Sequence, residues 1–392
     1  MEKPIAAKWL ALVLVHSGFV QAGVYVVRPM MSYQAVNFGA DFVLVGLIGA
    51  SFALAPLVLA IQIGRWVDRG FSGLATLLGP VITLVSVVGI LVADQLWQLA
   101  LLLPLLGVGH LLAMVGGQTL IAQFSGNKKY ERNFGLLTFY ASAGHAIGPF
   151  VGGYLAQTDG ALVLVGPALW FAAALFLVAI LVTLPLRFRL TRVSESKTKG
   201  NLRSVLRVPG YKPAIFVAGA TTAVLDVMLI YLPIFGTAIG LSVSEVGILL
   251  AVRAIASMFV RFILGSLGSR FGVKLLLVVG SALTMLGSIA IAASTNFLVL
   301  AALMFVTGLA MGIGQPATMA WVSRISEPQH MGLAISVRLT SNRLGQVVVP
   351  AIAGSLAVFG VASVFYLLAG LMFFATLASA RWAPGQDSVQ GD

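Results

Sequence analysis

The chain has 392 residues, of which 59% are hydrophobic and 9% are charged, whereas a soluble domain carries roughly a quarter charged residues. This composition excludes a water-soluble globular protein, because too few polar side chains remain to cover its surface. Cysteine is absent, which excludes disulfides and thiolate metal sites.

Apolar stretches of about 20 residues recur along the whole chain, and a helix of that length crosses a hydrocarbon core of about 30 Å. The first stretch begins soon after Lys3 and Lys8, is longer than a signal-peptide core and shows no cleavage site before Arg28, so we expect a retained first helix. Polar and Gly/Pro breaks predict twelve spans, at residues 9–38, 41–66, 72–93, 96–125, 130–157, 161–186, 211–239, 243–267, 273–293, 296–323, 330–358 and 361–381.

The net charge of +12 would suggest a nucleic-acid partner, so the placement of the basic residues decides its meaning. With a cytoplasmic amino terminus, the cytoplasmic loops carry these residues and the outward loops carry almost none, which is the positive-inside pattern. They are Arg65, Arg69, Lys128, Lys129, Arg132, Arg270, Lys274 and Arg324. We therefore expect a multi-pass protein of the bacterial inner membrane, with a lipid bilayer around it, both termini in the cytoplasm and no nucleic-acid partner.

One connection differs from the others, since residues 187–212, RFRLTRVSESKTKGNLRSVLRVPGYK, are long, polar and basic. They predict a cytoplasmic linker, and a partly amphipathic helix on anionic lipid is an alternative for part of it. The predicted domains are an N-terminal six-helix bundle at residues 1–186, the linker at 187–210 and a C-terminal six-helix bundle at 211–392.

An internal repeat supports this division. An offset of 201 residues aligns the two halves without a gap and pairs Gly64 with Gly265, Gly107 with Gly308, Gly144 with Gly345, Pro149 with Pro350, and Gly153 with Gly354. Two halves of the same topology imply parallel repeats, with a binding site near the membrane midplane between them.

Two motifs carry a family resemblance. GRWVDRG, Gly64–Gly70, lies between the second and third spans, and GHAIGPFVGG, Gly144–Gly153, lies in the fifth. With the helix count, linker and repeat, they make the chain resemble the major facilitator superfamily, and the second matches its antiporter motif G-x-x-x-G-P-x-x-G-G. The resemblance implies an all-α membrane protein of two pseudo-symmetric six-helix bundles that exports drugs or organic solutes. It also implies a fourth-span arginine, where this chain has Leu103 and Leu105.

The antiporter motif has a physical interpretation. Gly144, Gly148 and Gly152 recur every four residues and form a smooth stripe for close helix packing. Pro149 removes a backbone donor and bends the helix within that stripe. The resemblance implies that this helix, with Gly153, favours exchange over leak, and ordinary small-residue packing is the alternative.

The loop motif predicts a latch at the cytoplasmic ends of the helices. Asp68 would accept hydrogen bonds from the start of the eleventh helix near Gln329 and His330, and Arg69 would pair with Glu131. Such a latch would stabilise the state closed to the cytoplasm. A generic charged turn is the alternative.

Ionised side chains within the bilayer cost about 2.5 to 3.5 kcal/mol, so they normally have a partner or a function. Asp226 in the seventh span and Arg253 in the eighth are predicted at similar depth, because a short turn near Gly240 joins two antiparallel helices. We expect Asp226 to be the protonatable coupling group and Arg253 its partner. A permanent structural ion pair is the alternative.

Two further arginines lie in the eleventh span. Arg338 and Arg343 are expected about 12 Å and about 20 Å along the helix from His330, at about 1.5 Å per residue. They would bind an anionic or carboxylate-bearing cargo, or they would bind backbone carbonyls and close the interdomain interface. Both interpretations stay open at this point.

Polar residues of the first half are expected to line the substrate cavity, because Gln21 and Tyr25 are four residues apart and share a helix face. The predicted cavity residues of this half are Gln21, Tyr25, His110 and Gln118. His16 and His145 are further histidines in apolar helices, where a hydrogen-bonded packing role is favoured and proton carrying is the alternative. The correspondence of His145 with Gln346 in the repeat favours a structural hydrogen bond there.

No G-x-x-x-x-G-K-[ST] phosphate loop occurs, and no clustered catalytic residues are found. We therefore expect a secondary active transporter, not an enzyme, that exports a small organic solute by proton antiport and alternating access. Uptake of an organic anion by symport or uniport is the alternative, and a non-transporting receptor is another. A proton gradient would supply the energy without a cofactor, and a monomer is expected.

Overall fold

The computed structural model describes residues 9–125, 129–159, 162–186, 202–327 and 330–385, without the side chains of Glu131 and Leu186. Helices dominate these residues. The first six are α1 Trp9–Asn37, α2 Phe42–Trp66, α3 Ser72–Val92, α4 Leu96–Phe124, α5 Tyr130–Leu155 and α6 Gly166–Thr183. They are followed by a short helix α7 Leu202–Arg207, then α8 Tyr211–Ala238, α9 Val243–Ala292, α10 Phe297–Ile325, α11 Met331–Ala357 and α12 Ala362–Trp382.

The membrane passes follow from length and hydropathy. Eight stretches of the described residues are long and apolar enough to cross a bilayer, and two of them, Phe42–Val92 and Val243–Ala292, have 51 and 50 residues. Each of these two contains two passes, divided by a π-helical turn at Val67–Phe71 and by the non-helical Gly272. The more polar α5 and α11 have 26 and 27 residues. The predicted all-α membrane architecture with twelve passes is confirmed.

Equivalent glycines end equivalent helices. Gly39 after α1 and Gly240 after α8 have φ values of 80° and 83°, and they are 201 residues apart in the sequence. A left-handed residue just beyond a helix end is most easily a glycine, because it has no Cβ. The repeat therefore extends to the turns that terminate the helices.

A small hairpin was not predicted. Strands β1 Gln157–Asp159 and β2 Leu162–Leu164 pair antiparallel, where the sequence predicted the end of one span at residue 157 and the start of the next at residue 161. Asn37 at the end of α1 holds β2 at two points, since its Nδ2 donates to Val163 O at 2.7 Å and its Oδ1 accepts from Val163 N at 3.2 Å. These bonds satisfy backbone groups that a continued helix would have paired internally.

The described residues fall into two compact units. The first lies within residues 1–41, 51–196 and 242–251, and the second within residues 42–50, 197–241 and 252–392. The start of α2 therefore packs with the second unit and the start of α9 with the first.

In the first unit the glycine stripe of α5 packs against α1. A Cβ at Gly144 would lie 2.5 Å from the carbonyl oxygen of Gly18, and one at Gly148 would lie 2.5 Å from that of Ala22. In the second unit a Cβ at Gly345 on α11 would lie 2.6 Å from the carbonyl oxygen of Gly219 on α8. Glycine is required at each position because the two backbones approach too closely for a side chain.

Close glycine contacts also join the start of α2 to the second unit and the start of α9 to the first unit. A Cβ at Gly46 on α2 would lie 2.5 Å from Pro350 O of α11, and one at Gly247 on α9 would lie 2.5 Å from Pro149 O of α5. We call these contacts the Gly46 crossing and the Gly247 crossing. They are equivalent under the repeat, and each uses the carbonyl of the proline that interrupts the partner helix.

The Gly46 crossing has an additional hydrogen bond. The hydroxyl of Tyr231 on α8 donates to Phe42 O at 2.9 Å and lies 3.4 Å from Pro350 O. Tyr231 is completely buried. At the Gly247 crossing the hydroxyl of Ser244 donates instead to Gly153 O at 3.1 Å, so the two crossings share the backbone geometry and differ in the side chain that ties them.

Candidate functional site

Asp226 on α8 is buried in the second unit, with 2% of its surface exposed. The amide Nε2 of Gln346 on α11 donates to its Oδ1 at 3.0 Å. The amide oxygen of Gln346 in turn accepts from Nη1 of Arg343 at 2.9 Å. A carboxylate, an amide and a guanidinium are thus joined in a chain of hydrogen bonds, which we call the Asp226 relay.

Gln346 was not among the predicted site residues. A neutral glutamine in a helix gives no charge signal in the sequence. Its one available signal was the repeat, because the offset of 201 residues places it on His145, another polar residue in an apolar helix.

The structure places Arg253 on α9 close to α10. Arg253 is 3% exposed, and a Cβ added at Gly308 would lie 2.9 Å from its Cα. The missing side chain of Gly308 allows the two helices to cross at the level of the arginine. The pairing of Arg253 with Asp226 stays a prediction.

Arg338 is held by neutral groups of the second unit. It is 3% exposed, and its Nη2 donates to Gln315 O at 2.8 Å, to Gln315 Oε1 at 2.9 Å and to Thr318 Oγ1 at 2.9 Å. Asn342 Nδ2 donates to the same Gln315 Oε1 at 3.2 Å, and Gln315 Nε2 donates to Thr222 on α8. We call this set the Arg338 network, which ties α11 to α10 and α8.

The Arg338 network lacks a formal counter-charge. Within the described part of the chain, none of the hydrogen bonds made by Arg338 goes to a carboxylate. Its Nη1 has only the thioether of Met319, at 3.9 Å, and a thioether is a weak acceptor. The guanidinium is therefore satisfied by dipoles and keeps its positive charge uncompensated by an ion pair.

The first unit brings three predicted cavity residues, Gln21, Tyr25 and His110, together with His145. Gln21 Oε1 lies 3.0 Å from His110 Nε2 and 3.3 Å from His145 Nε2. The rings of Tyr25 and His145 are stacked, with centroids 3.9 Å apart. Gln21 and His110 are 6% and 8% exposed. We call these four residues the histidine cluster.

Gln118, the fourth predicted residue of this half, is exposed. It lies eight residues beyond His110 on α4, or about 12 Å along the helix axis at about 1.5 Å per residue. Its distance along α4 separates it from the hydrogen bonds of the histidine cluster.

Arg28 is a buried cation that the sequence analysis did not include in the site. It is 5% exposed, and its guanidinium carbon lies 4.4 Å from the centroid of the Phe52 ring, a cation–π geometry. Phe52 also lies 5.7 Å from the His110 ring. The available signal was an arginine well inside the first apolar stretch, which should have counted as an intramembrane charge.

The loop motif forms the π-helical turn after α2. Gly70 has a φ of 103°, a conformation that favours glycine. A Cβ at Gly64 would meet open space, whereas Asp68 is partly exposed and Arg69 exposed. The predicted latch partners Gln329 and the Glu131 side chain lie outside the described residues, so the latch stays a prediction.

The comparisons with known proteins decide the family. The family model of the Major Facilitator Superfamily matches residues 13–242 and again residues 213–391. The chain belongs to the major facilitator superfamily. The two matches cover both halves of the sequence repeat, and the superfamily accounts for the twelve passes in two bundles.

Relatives within the superfamily span most of the chain. Multidrug resistance protein MdtG of Proteus mirabilis is 27% identical over 345 residues, covering 83% of each chain. An uncharacterised transporter of this superfamily from Methanocaldococcus jannaschii is 22% identical and covers 88% of this chain and 90% of its own. The crystal structure of a D-xylose–proton symporter matches with a TM-score of 0.78 at 14% identity, covering 97% of this chain and 99% of that one. This last likeness shows the superfamily fold alone.

Proposed function

We propose that this transporter exports a small organic solute in exchange for protons, by alternating access, with Asp226 as the coupling group. The observation that carries the proposal is the Asp226 relay, in which a buried carboxylate is joined through Gln346 to Arg343. A relative named for multidrug resistance, 27% identical over 345 residues, supports export of organic solutes.

The relay gives proton binding a structural consequence. The ionised carboxylate accepts the N–H of Gln346, and this fixes the amide oxygen toward Arg343. A protonated carboxyl becomes a hydrogen-bond donor as well, so the Gln346 oxygen then becomes a suitable partner for the acid and its bond to Arg343 is weakened. Protonation therefore changes the contacts within α11 and between α11 and α8. In this proposal Arg253 pairs with the same carboxylate.

The glycine contacts allow the helix movements that alternating access requires. Gly144, Gly148 and Gly152 bring α5 close to α1 without side chains between the backbones, and Pro149 and Gly153 take part in the Gly247 crossing. Close contacts made mainly of backbone atoms can open and close with small helix movements. In this proposal a latch holds the cytoplasmic ends of the helices. It is formed by Gly64, Asp68, Arg69 and Glu131.

Reconstitution into proteoliposomes tests the coupling. A panel of organic solutes, starting with quaternary ammonium dyes, is screened for solute-dependent proton movement under an imposed pH gradient. Asp226→Asn should abolish proton movement and leave downhill solute exchange measurable, because the amide keeps the shape without binding a proton. Asp94→Asn, on the connection between α3 and α4, is the matched control. Undiminished coupling in Asp226→Asn would reject the assignment.

The excess of buried cations favours a second candidate function, uptake of an organic anion. Among the described residues, Arg28, Arg253 and Arg338 are each buried to 5% exposure or less, against one carboxylate buried to that degree, that of Asp226 at 2%. Here Arg338 and Arg343 would attract the negative charge of the cargo, and Gln21, Tyr25, His110 and Gln118 would line its path. Replacement of Arg343 by Gln should then lower transport of carboxylates and spare that of cations, whereas equal effects on both would reject this function.

The oligomeric state, the membrane, the orientation and the energy source of the protein are also proposed. We propose that it works as a monomer in a bacterial inner membrane, with both termini in the cytoplasm and the proton gradient in place of a cofactor. Cross-linking in native membranes tests the monomer, and reporter fusions at each terminus test the orientation.

A further inference from the structure

The first unit holds a histidine where the second unit holds the Asp226 relay. Under the offset of 201 residues, His145 on α5 corresponds to Gln346 on α11, and Tyr25 on α1 corresponds to Asp226 on α8. Both pairs are in contact, since Tyr25 and His145 stack with centroids 3.9 Å apart and Gln346 donates to Asp226 at 3.0 Å. At this contact each unit therefore carries a group whose ordinary titration lies below that of tyrosine, the imidazole of His145 in the first unit and the carboxyl of Asp226 in the second.

The surroundings of His145 suit a protonated imidazole. Its Nε2 lies 3.3 Å from the amide oxygen of Gln21, an acceptor for a ring N–H in either protonation state. The Tyr25 ring lies nearly parallel to it, with 18° between the planes, and an aromatic face attracts a cation. An imidazolium at this position would therefore have both a hydrogen-bond acceptor and an aromatic face as partners.

His145 is more exposed than the other histidines of this unit. It is partly exposed, whereas His110 on the same Gln21 oxygen is 8% exposed and His16 is 1% exposed. A proton-binding group must be reachable by the proton that it takes up. The greater exposure therefore favours His145 among the three histidines of this unit.

Other ionisable groups reach this region from the surrounding helices. Helix α1 contributes Arg28, whose guanidinium lies against the Phe52 ring, and α4 contributes His110. The start of α9 contributes Glu245, whose carboxylate accepts from Ser242 N at 2.8 Å and so caps its own helix. Helix α6 has no ionisable residue in its sequence. Arg28 carries a positive charge, as an imidazolium does, so the two would repel each other. The guanidinium of Arg28 lies against the aromatic face of Phe52.

We propose that His145 is a second proton-binding site, located in the first unit, that takes up and releases a proton independently of Asp226. The inference goes beyond the proposed function, because it concerns another unit and another group and holds for exporter and importer alike. In an exchange cycle it would allow a second proton to move.

Histidine-selective NMR of the full-length protein in bilayer nanodiscs tests the site with the proton itself as the probe. The chain has four histidines, so the spectrum is simple and His145→Gln assigns the signal of interest. We expect that signal to titrate between about pH 5 and pH 8, the range of an ordinary imidazole. A His145 ring that stays neutral from pH 5 to pH 8 would overturn the proposal.

Matched variants separate the site from its neighbours. His110→Gln should leave the titrating signal in place, because His110 shares only the Gln21 oxygen. Tyr25→Leu removes the aromatic face and should move the titration midpoint down by roughly half a pH unit, whereas Tyr25→Phe keeps the face and should leave the midpoint unchanged. Equal midpoints in Tyr25→Leu and Tyr25→Phe would count against the stacked ring as part of the site.

The test remains informative if one variant fails to fold. His145→Gln introduces the residue that α11 carries at the equivalent position, and the Tyr25 variants retain His145 if that replacement prevents folding. The titration is also independent of coupling at Asp226. An intact His145 titration with unchanged proton movement in Asp226→Asn would reject the proposed coupling group alone, and a missing titration with abolished movement would reject the second site alone.

Discussion

Gln346 bonds Asp226 with its amide nitrogen at 3.0 Å and holds Arg343 with its amide oxygen at 2.9 Å. One neutral side chain thus orients both a buried acid and a cation one turn away on its own helix. An amide can do this because it has a donor and an acceptor at opposite corners of one rigid plane. We therefore expect a change at Gln346 to impair transport as much as a change at Asp226 or Arg343.

Gln346→Leu should lower proton-coupled transport at least tenfold without preventing insertion into the membrane. Leucine fills the space but removes the two hydrogen bonds that Gln346 makes, one to Asp226 and one from Arg343. A lost hydrogen bond to a charged group is worth about 1.5 to 3 kcal/mol. Proteoliposome flux and thermal unfolding of the purified variant check the two parts. Gln346→His, the residue of the first half at this position, is the control and should retain more activity than Gln346→Leu. Equal activity of Gln346→Leu and wild type would show that the relay is not used.

The two glycine crossings should tolerate no side chain. Gly46→Ala and Gly247→Ala each place a methyl group 2.5 Å from a carbonyl oxygen, and such overpacking costs typically about 1 to 3 kcal/mol. Both variants should unfold at lower temperature than wild type in a dye-based thermal assay.

Gly268→Ala is the control for the crossings. A Cβ at Gly268 would meet open space, and alanine is the better helix former, so this variant should be as stable as wild type or more stable. A loss of stability at Gly268 equal to that at Gly46 would mean that close approach to a carbonyl oxygen does not account for the result.

Arg338→Leu should destabilise the second unit. The change removes the donor for Gln315 and Thr318 and leaves buried acceptors unsatisfied, at about 1 to 3 kcal/mol for each such group. Arg338→Lys should recover little stability, because a point-charge ammonium cannot reproduce the planar fork that contacts both residues. Thermal unfolding checks the effect, with the exposed Arg270→Leu as control. Unchanged stability in Arg338→Leu would leave cargo binding as its principal role.

Tyr231→Phe should loosen the Gly46 crossing alone. It removes the hydroxyl that donates to Phe42 O at 2.9 Å, a contribution of about 0.5 to 1.5 kcal/mol, and it keeps the ring. Because the chain contains no cysteine, a single Val43→Cys reports the exposure of this helix start without background labelling. Faster thiol labelling in the Tyr231→Phe background is expected, and a Val243→Cys reporter at the Gly247 crossing, which keeps the Ser244 hydroxyl, should be unaffected. Identical labelling of Val43→Cys in both backgrounds would contradict the tie.

The sequence predicted the features that repeat or that carry charge. Apolar stretches predicted the twelve passes, and glycines at a constant offset predicted close helix contacts that the structure places at Gly144 and Gly345. Asp226 and Arg338 were predicted in the membrane interior because a charge in an apolar helix is conspicuous, and both are buried.

Other features depend on contacts that a sequence does not display. The link through Gln346 required knowledge of which faces of α8 and α11 meet. The hairpin at residues 157–164 was missed because the hydrophobic residues Leu162 and Val163 resemble the start of the next span. Arg28 lies inside the first predicted span and was not counted as an intramembrane charge, because the sequence does not show that its guanidinium lies against the Phe52 ring.

The two hydrogen bonds between Asn37 and Val163 have a practical consequence. The hairpin is fastened to the last residue of α1, the helix that also carries Gln21, Tyr25 and Arg28. An antibody fragment or nanobody raised against those few strand residues would hold α1 from outside the bilayer, at a distance from the buried polar groups. Such a reagent would serve as a handle for trapping one conformation in electron cryomicroscopy without altering any side chain of the site.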